Sequence, residues 1–262
     1  MSFELTSAEA RRYKRDGFLV RKSAFDSGEM VVLCQAAERA ADLAQALSEE
    51  GATYILDGKR FVDSGYVTIQ FEQPPWSGTI RVIEPVHQLD ARLEALIDDP
   101  RIVEPMRHLV GSENIALWTD KLNLKRPGKG SGFGWHQDSP YWRHDSTHVD
   151  LLPNVLLAFD DATEANGCLR VIRASHTRGC LPGTSDGTQL GGFYTDPEQF
   201  DESQQVSIEV PAGSLVFFSP HLVHGSRPND SDQPRRAIIL TYQPSGFPML
   251  KSGEMRNIGH AG

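Results

Sequence analysis

The sequence predicts a mainly β fold, an antiparallel sandwich or jelly roll, with supporting helices toward the N-terminus. Three observations carry this. From about residue 115 onward, short apolar runs recur between clusters of Gly, Pro, Asn and Asp. Long amphipathic stretches are confined to roughly the first 110 residues. No internal repeat, low-complexity tract or linker interrupts the 262 residues, a length that suits one sizeable domain.

In chain order, Thr6 with Glu9 three residues later forms a capping-box signal, opening an amphipathic stretch that stops at Asp16-Gly17. Phe18-Leu19-Val20 follows as a short strand. Residues 27–50, rich in Ala, Leu, Gln and Glu, read as the strongest helix, ended by Gly51. Two further helices are expected over 86–98 and 100–110, divided at Pro100 and stopped by Gly111. The first hundred residues are therefore expected to be mainly helical, a support over about 1–112 for a jelly-roll core over about 113–245. Strands are expected over 115–124, 133–137, 154–160, 168–173, 206–210, 214–218 and 236–243. Asn166-Gly167 signals a two-residue hairpin, and Pro211-Ala212-Gly213 another turn.

Composition excludes several functions. With 26 Lys+Arg against 35 Asp+Glu, the net charge of −9 argues against a nucleic-acid-wrapping protein, which needs clustered cations. No apolar run approaches the roughly 20 residues of a membrane span. The first residues, charged and without an apolar segment, do not resemble a signal peptide. Cys34, Cys168 and Cys180 are odd in number and lack CxxC spacing, so neither a disulfide framework nor a cysteine zinc site is indicated. The expectation is a reduced, cytoplasmic protein, with neither nucleic acid nor membrane as partner.

The chemistry points to histidines. Of nine, at 87, 108, 136, 144, 148, 176, 221, 224 and 260, six fall between 136 and 224. A single His is more often a packed or surface residue than a ligand, and binds metal only where partners converge. In His136-Gln137-Asp138 a strand would direct imidazole and carboxylate to one face, two-thirds of a two-histidine, one-carboxylate iron site. About one His-x-Asp/Glu is expected by chance, and His148-Val149-Asp150 is a second. Context favours the first. Glycines at 128, 130, 132 and 134 lead into His136, and Trp135, Tyr141 and Trp142 flank it, whereas His144 and His148 sit in a charged, loop-like stretch. The third ligand must come from a distant strand, where His224 qualifies and His221 competes. Farther on, Arg235 and Arg236 open an apolar strand and face opposite ways. One can turn inward to meet a carboxylate bidentately while the other stays in solvent.

His136-x-Asp138, Asn166-Gly167-Cys168-Leu169, His224-Gly225-Ser226 and Arg235 eleven residues after His224 together resemble the phytanoyl-CoA dioxygenase family. Tyr13-Lys14-Arg15-Asp16-Gly17-Phe18-Leu19-Val20 is similar to that family's opening. The resemblance runs from near residue 6 to about 243. It implies a double-stranded β-helix and an oxygenase dependent on Fe(II), 2-oxoglutarate and O2, with ascorbate as reductant. It also implies iron ligands at His136, Asp138 and His224, and Arg235 on the distal carboxylate of 2-oxoglutarate. Ser226 would assist that carboxylate, and Lys121 would reach the other end of the cosubstrate. Asp138 occupies the position that related halogenases replace with Gly or Ala, so hydroxylation-type chemistry is implied. Two departures stand out: Arg173-Ala174-Ser175-His176 where the family commonly has Gly-Ser-His, and Leu156 where phytanoyl-CoA hydroxylases carry Trp. With the net charge, the second counts against a phytanoyl-CoA substrate. Trp135, Tyr141, Trp142, Phe159 and Phe193 suggest a partly apolar pocket for a small metabolite, and residues 181–205 a lid. Two rival expectations are a different metal enzyme using His144, His148 and Asp150, and a non-catalytic jelly-roll binding protein.

Overall fold

The computed structural model describes residues 3–259, so His260 lies outside the described residues. Helix α1 (Ser7–Asp16) starts at a full Thr6/Glu9 capping box and stops at Gly17, which adopts a left-handed φ of 84°. Strand β1 (Phe18–Arg21) follows, then α2 (Ser27–Glu50), capped reciprocally by Asp26 and Glu29. Its inner face is a stripe of alanines, with Ala36, Ala37, Ala40 and Ala44 fully buried, which lets the helix lie close against a sheet.

The largest departure from the sequence reading comes next. Residues expected to belong to a helical support instead form a four-stranded meander: β2 (Ala52–Leu56), β3 (Lys59–Ser64), β4 (Val67–Phe71) and β5 (Ile80–Glu84). Helices α3 (Ala91–Ala95) and α4 (Pro100–Val110) then occupy much of the stretch expected to be helical. The later strands are β6 (Ile115–Lys125), β7 (Phe133–His136), β8 (Asn154–Ala158), β9 (Leu169–Ile172), β10 (Gln205–Ile208), β11 (Leu215–Phe218), β12 (His224–Ser226) and β13 (Arg235–Pro244), with the one-turn helix α5 (Ser139–Trp142) after β7.

A major sheet has the order β1-β11-β8-β13-β6-β5-β4-β3-β2, and a minor sheet β10-β9-β12-β7 faces it, giving the jelly roll. Strand alternation explains the continuous apolar runs of the major sheet. Val155, Leu157, Ile238 and Leu240 pack toward α2 and α4 in one core, whereas Leu156, Ala158, Ala237 and Ile239 join Val171, Ile208 and Leu222 in a second, between the sheets. Both faces are covered, so both parities are apolar.

Asn166-Gly167 does not make a hairpin. β8 and β9 belong to different sheets, and the turn, closed by the Cys168 N–H donating to Thr163 O at 2.8 Å, carries the chain from one to the other. Gly167 has φ 78°, and a Cβ there would lie 2.3 Å from Arg227 O, so glycine is required both by conformation and by space. No helix among the described residues is long and apolar enough to cross a membrane.

Candidate metal centre and cosubstrate pocket

Between the sheets lies a cavity of about 520 Å³. The pairing of β12 with β7 sets His224 opposite His136 on the minor sheet, with their ring centroids 4.1 Å apart. Asp138 joins them by a route other than strand alternation. β7 ends at His136, the chain turns, and Asp138 takes helical dihedrals (φ −78°, ψ −31°) as the residue before α5. Asp138 N and Ser139 N both donate to Pro220 O, fastening the turn to the segment that leads into β12. Ligand atoms of His136, Asp138 and His224 all lie within 4.8 Å of one another, and among the described residues no other metal-competent cluster of His, Cys, Asp and Glu forms.

The donor set is poised for a cation. His136 Nδ1 lies 2.7 Å from Gly134 O and His224 Nδ1 2.9 Å from Leu222 O. Each Nδ1 therefore carries the proton it donates to a carbonyl, leaving Nε2 as a free lone pair. Loss of solvent, then the neighbouring His224, pushes the His136 pKa down to about 3, and burial lowers that of His224. Both rings are thus neutral, as ligands must be. Burial alone would raise the Asp138 pKa, but the charge of Lys121, with Nζ 3.5 Å from Asp138 Oδ1, pulls it down, so the carboxylate stays ionised. Asn154 Nδ2 donates to Asp138 Oδ2 at 2.9 Å, while Thr241 Oγ1 donates to Asn154 Oδ1 at 2.6 Å. This chain of hydrogen bonds fixes the carboxylate from the major sheet.

The other end of the cavity is cationic. Arg235 is buried at the start of β13, and its Nε and Nη2 donate to Gly167 O at 3.1 and 2.9 Å. The Nη1 side of the fork is left for another acceptor. Burial pulls its pKa down to about 10, which still leaves it charged at neutral pH. Ser226 lines the same wall, and Lys125 Nζ donates to its Oγ at 2.8 Å and also to Arg227 O. Asn123 lines the cavity too, and its buried Oδ1 has no partner. Arg81 completes the cluster, donating to Ser131 Oγ at 2.6 Å and Gly132 O at 2.7 Å. Pairings Gln70↔Val82 and Phe71↔Ile80 leave Arg81 as an extra residue, and this bulge turns its side chain into the cavity.

Sequence reasoning missed Asn123, Lys125 and Arg81. Only the first two carried a signal: with Lys121 they alternate along β6 on one face. Arg236, expected in solvent, is instead held by Asp160 at 2.6 Å and by Glu38 of α2 at 2.9 Å. Of the five aromatics expected around a pocket, Tyr141 and Trp142 line the cavity and Phe193 stacks on Tyr141 at 4.4 Å. Trp135 instead meets Phe200 outside, and Phe159 belongs to the core under α2. Leu156 does line the cavity.

The residues of the rival metal site are scattered. His148 meets Gln243, Asp150 meets His221, and His144 meets Arg143. His221 is thereby committed to Ser139 and Asp150 rather than to the triad.

Fold and site together define a class: a double-stranded β-helix protein with a candidate two-histidine, one-carboxylate metal centre. The model of the phytanoyl-CoA dioxygenase family matches residues 13–237, and the chain belongs to this family. An ectoine dioxygenase of Bordetella parapertussis is 27% identical over 91% of this chain and 75% of its own length. A methylphosphonate hydroxylase of Gimesia maris is 31% identical over 71% of this chain and 65% of its own. Among solved structures, EctD from S. alaskensis with 2-oxoglutarate and 5-hydroxyectoine superposes with a TM-score of 0.72 at 23% identity, covering 95% of this chain and 80% of that one. The carbocyclase SnoK of nogalamycin biosynthesis gives 0.70 at 16% identity, covering 99% of both chains.

Proposed function

We propose that this protein is a non-haem Fe(II)- and 2-oxoglutarate-dependent dioxygenase, oxidising a C–H bond of a small organic metabolite with release of succinate and CO2. One observation carries the reading: a neutral-imidazole pair and an ionised carboxylate share one cavity with a buried, carboxylate-free arginine. The donor set fits Fe(II), and the free N–H side of Arg235 is an unmet donor of the kind a bound dicarboxylic keto acid would engage. When bound, iron and 2-oxoglutarate supply the oxidising chemistry at the expense of cosubstrate decarboxylation.

The chain supplies position and dryness. Nε2 of His136 and His224 and the carboxylate of Asp138 hold the metal. Arg235 and Ser226 take the distal carboxylate of the cosubstrate. Once Lys125 is charged, Ser226 is oriented for this, because an ammonium only donates; with Lys125 occupying a lone pair, the Ser226 hydrogen turns away from Lys125. Lys121 balances the charge beside Asp138 and reaches the metal end of the cosubstrate. Residues 181–205 act as the lid. Leu190 and Tyr194 line the cavity, Tyr194 bridges to His136, and the Asp57 carboxylate holds Gln189 N at 3.1 Å and Leu190 N at 2.7 Å. Excluding water strengthens every charge interaction inside. Relatives named for ectoine, methylphosphonate and L-proline support a small polar substrate. Ascorbate as reductant, a cytoplasmic location that keeps iron ferrous, and a single oxygenase domain over 1–262 belong to the same reading.

Anaerobic addition of Fe(II) and 2-oxoglutarate tests it. A metal-to-ketoacid charge-transfer band is expected, abolished by His136→Ala. Arg235→Ala should weaken cosubstrate affinity by about 10-fold or more, the scale of losing a charge-assisted hydrogen-bond pair. Protein that binds neither iron nor 2-oxoglutarate sinks the proposal.

A further inference from the structure

The cavity holds a third polar focus besides the triad and the arginine end. Lys59, the first residue of β3, lines it, and its Nζ stands 2.5 Å from Tyr194 Oη, with no carboxylate in ion-pair contact among the described residues. Tyr194 is fixed beside the metal ligand His136. Its backbone bridges to His136, and its ring lies against Gly134, where a Cβ would come within 3.0 Å. The lysine donates to the phenol oxygen, so the Tyr194 hydrogen turns elsewhere. The pair is left with two ammonium N–H groups and one O–H to offer a ligand. Three donors on two hydrogen-bonded atoms suit an anionic head group that carries several oxygens.

Charge points the same way. Five basic residues (Lys59, Arg81, Lys121, Arg235 and Lys251) line the cavity against three acidic ones (Glu84, Asp138 and Asp145), in a chain whose net charge is −9. A divalent metal and a dianionic cosubstrate neutralise each other, so the excess positive charge remains for a third component.

We propose that Lys59 and Tyr194 form the head-group site for an anionic substrate, a small molecule carrying a phosphonate or carboxylate. This rests on the oxygenase reading above and makes the β2–β3 hairpin and the lid the two jaws of substrate recognition. The experiment uses anaerobic protein loaded with Fe(II) and 2-oxoglutarate, titrated calorimetrically with ethyl- to pentylphosphonate, the carboxylates of equal chain length, and the corresponding alkanols. An anion series should bind at least about tenfold more tightly than the alkanols, and the tighter of the two names the head group. Lys59→Gln should erase that preference, Lys59→Arg should retain most of it, and 2-oxoglutarate affinity should stay within about twofold in both. Two results overturn the proposal: loaded wild type that binds neither anion series, or a Lys59→Gln variant that weakens anions and alkanols equally, which would make Lys59 only a latch for the lid. Absence of the charge-transfer band in the wild type is a separate outcome and removes the oxygenase reading with it.

Discussion

Lys125 shows how burial beside the proposed cosubstrate pocket holds a charge in reserve. Its side chain is 1% exposed and forms no ion pair among the described residues, with Arg235 of β13 and Arg81 of β5 as neighbours. Burial first, then those two arginines, pushes its pKa down to about 6, with Glu72 and Cys168 opposing more weakly. Below pH 6 the ammonium is charged in both folded and unfolded chains, and the burial penalty is fully present. Between about 6 and the ordinary lysine value, the unfolded chain binds a proton that the folded one does not, so this residue's contribution to stability rises with pH. An arriving dianion favours the charged form, so cosubstrate binding at pH 8 should draw in a proton. Calorimetry of 2-oxoglutarate binding to Mn(II)-loaded protein, in buffers of different ionisation enthalpy, should show uptake approaching one proton at pH 8. The uptake should fade at pH 5.5 and vanish in Lys125→Met. Buffer-independent heats for the wild type at pH 8 would mean that Lys125 is already charged.

At the scale of elements, close packing sets what each segment tolerates. The alanine stripe of α2 meets the covered face of the major sheet with no side-chain volume to spare. Ala40→Leu should therefore destabilise by about 1–3 kcal/mol through overpacking, read as a lower urea midpoint at unchanged slope. That helix was legible in the sequence because its caps and composition are local. The meander β2–β5 was not. Its outer strands are half exposed, with Lys59, Arg60 and Asp63 among their residues, so their alternation is weak. Val67–Phe71 does alternate buried and half-buried residues and is readable as a strand once sought. The Arg81 bulge is a mismatch between two strands, and neither strand's own sequence declares it.

For the whole molecule, the candidate metal centre ties the minor sheet to the turn before α5, and the proposed cosubstrate end ties β12 and β13 to the crossover at Gly167. Ligands that bind only this assembled state must stabilise it. At about a hundredfold excess over Kd the gain is about 2.7 kcal/mol, roughly 5–10 °C in a domain of this size. Differential scanning fluorimetry with Mn(II) and 2-oxoglutarate should show that upshift, EDTA should reverse it, and His224→Ala should lack it. An unchanged melting temperature on saturating addition would contradict a shared site.

The sequence by itself determined the candidate chemistry: His136, Asp138, His224 and Arg235 are readable because their order and spacing survive in one dimension. It reached Asp138 by the wrong geometry, since the residue points inward through a turn fastened to Pro220 and not through strand alternation. Tertiary structure alone decided how those groups are tuned. Which imidazole nitrogen is free depends on the carbonyls of Gly134 and Leu222. The charge of Lys125 depends on burial beside two arginines, and the cation facing the lid depends on where the β2–β3 hairpin lands. Burial, bulges and sheet-to-sheet crossovers bring together residues far apart in the chain, and no local pattern encodes that proximity.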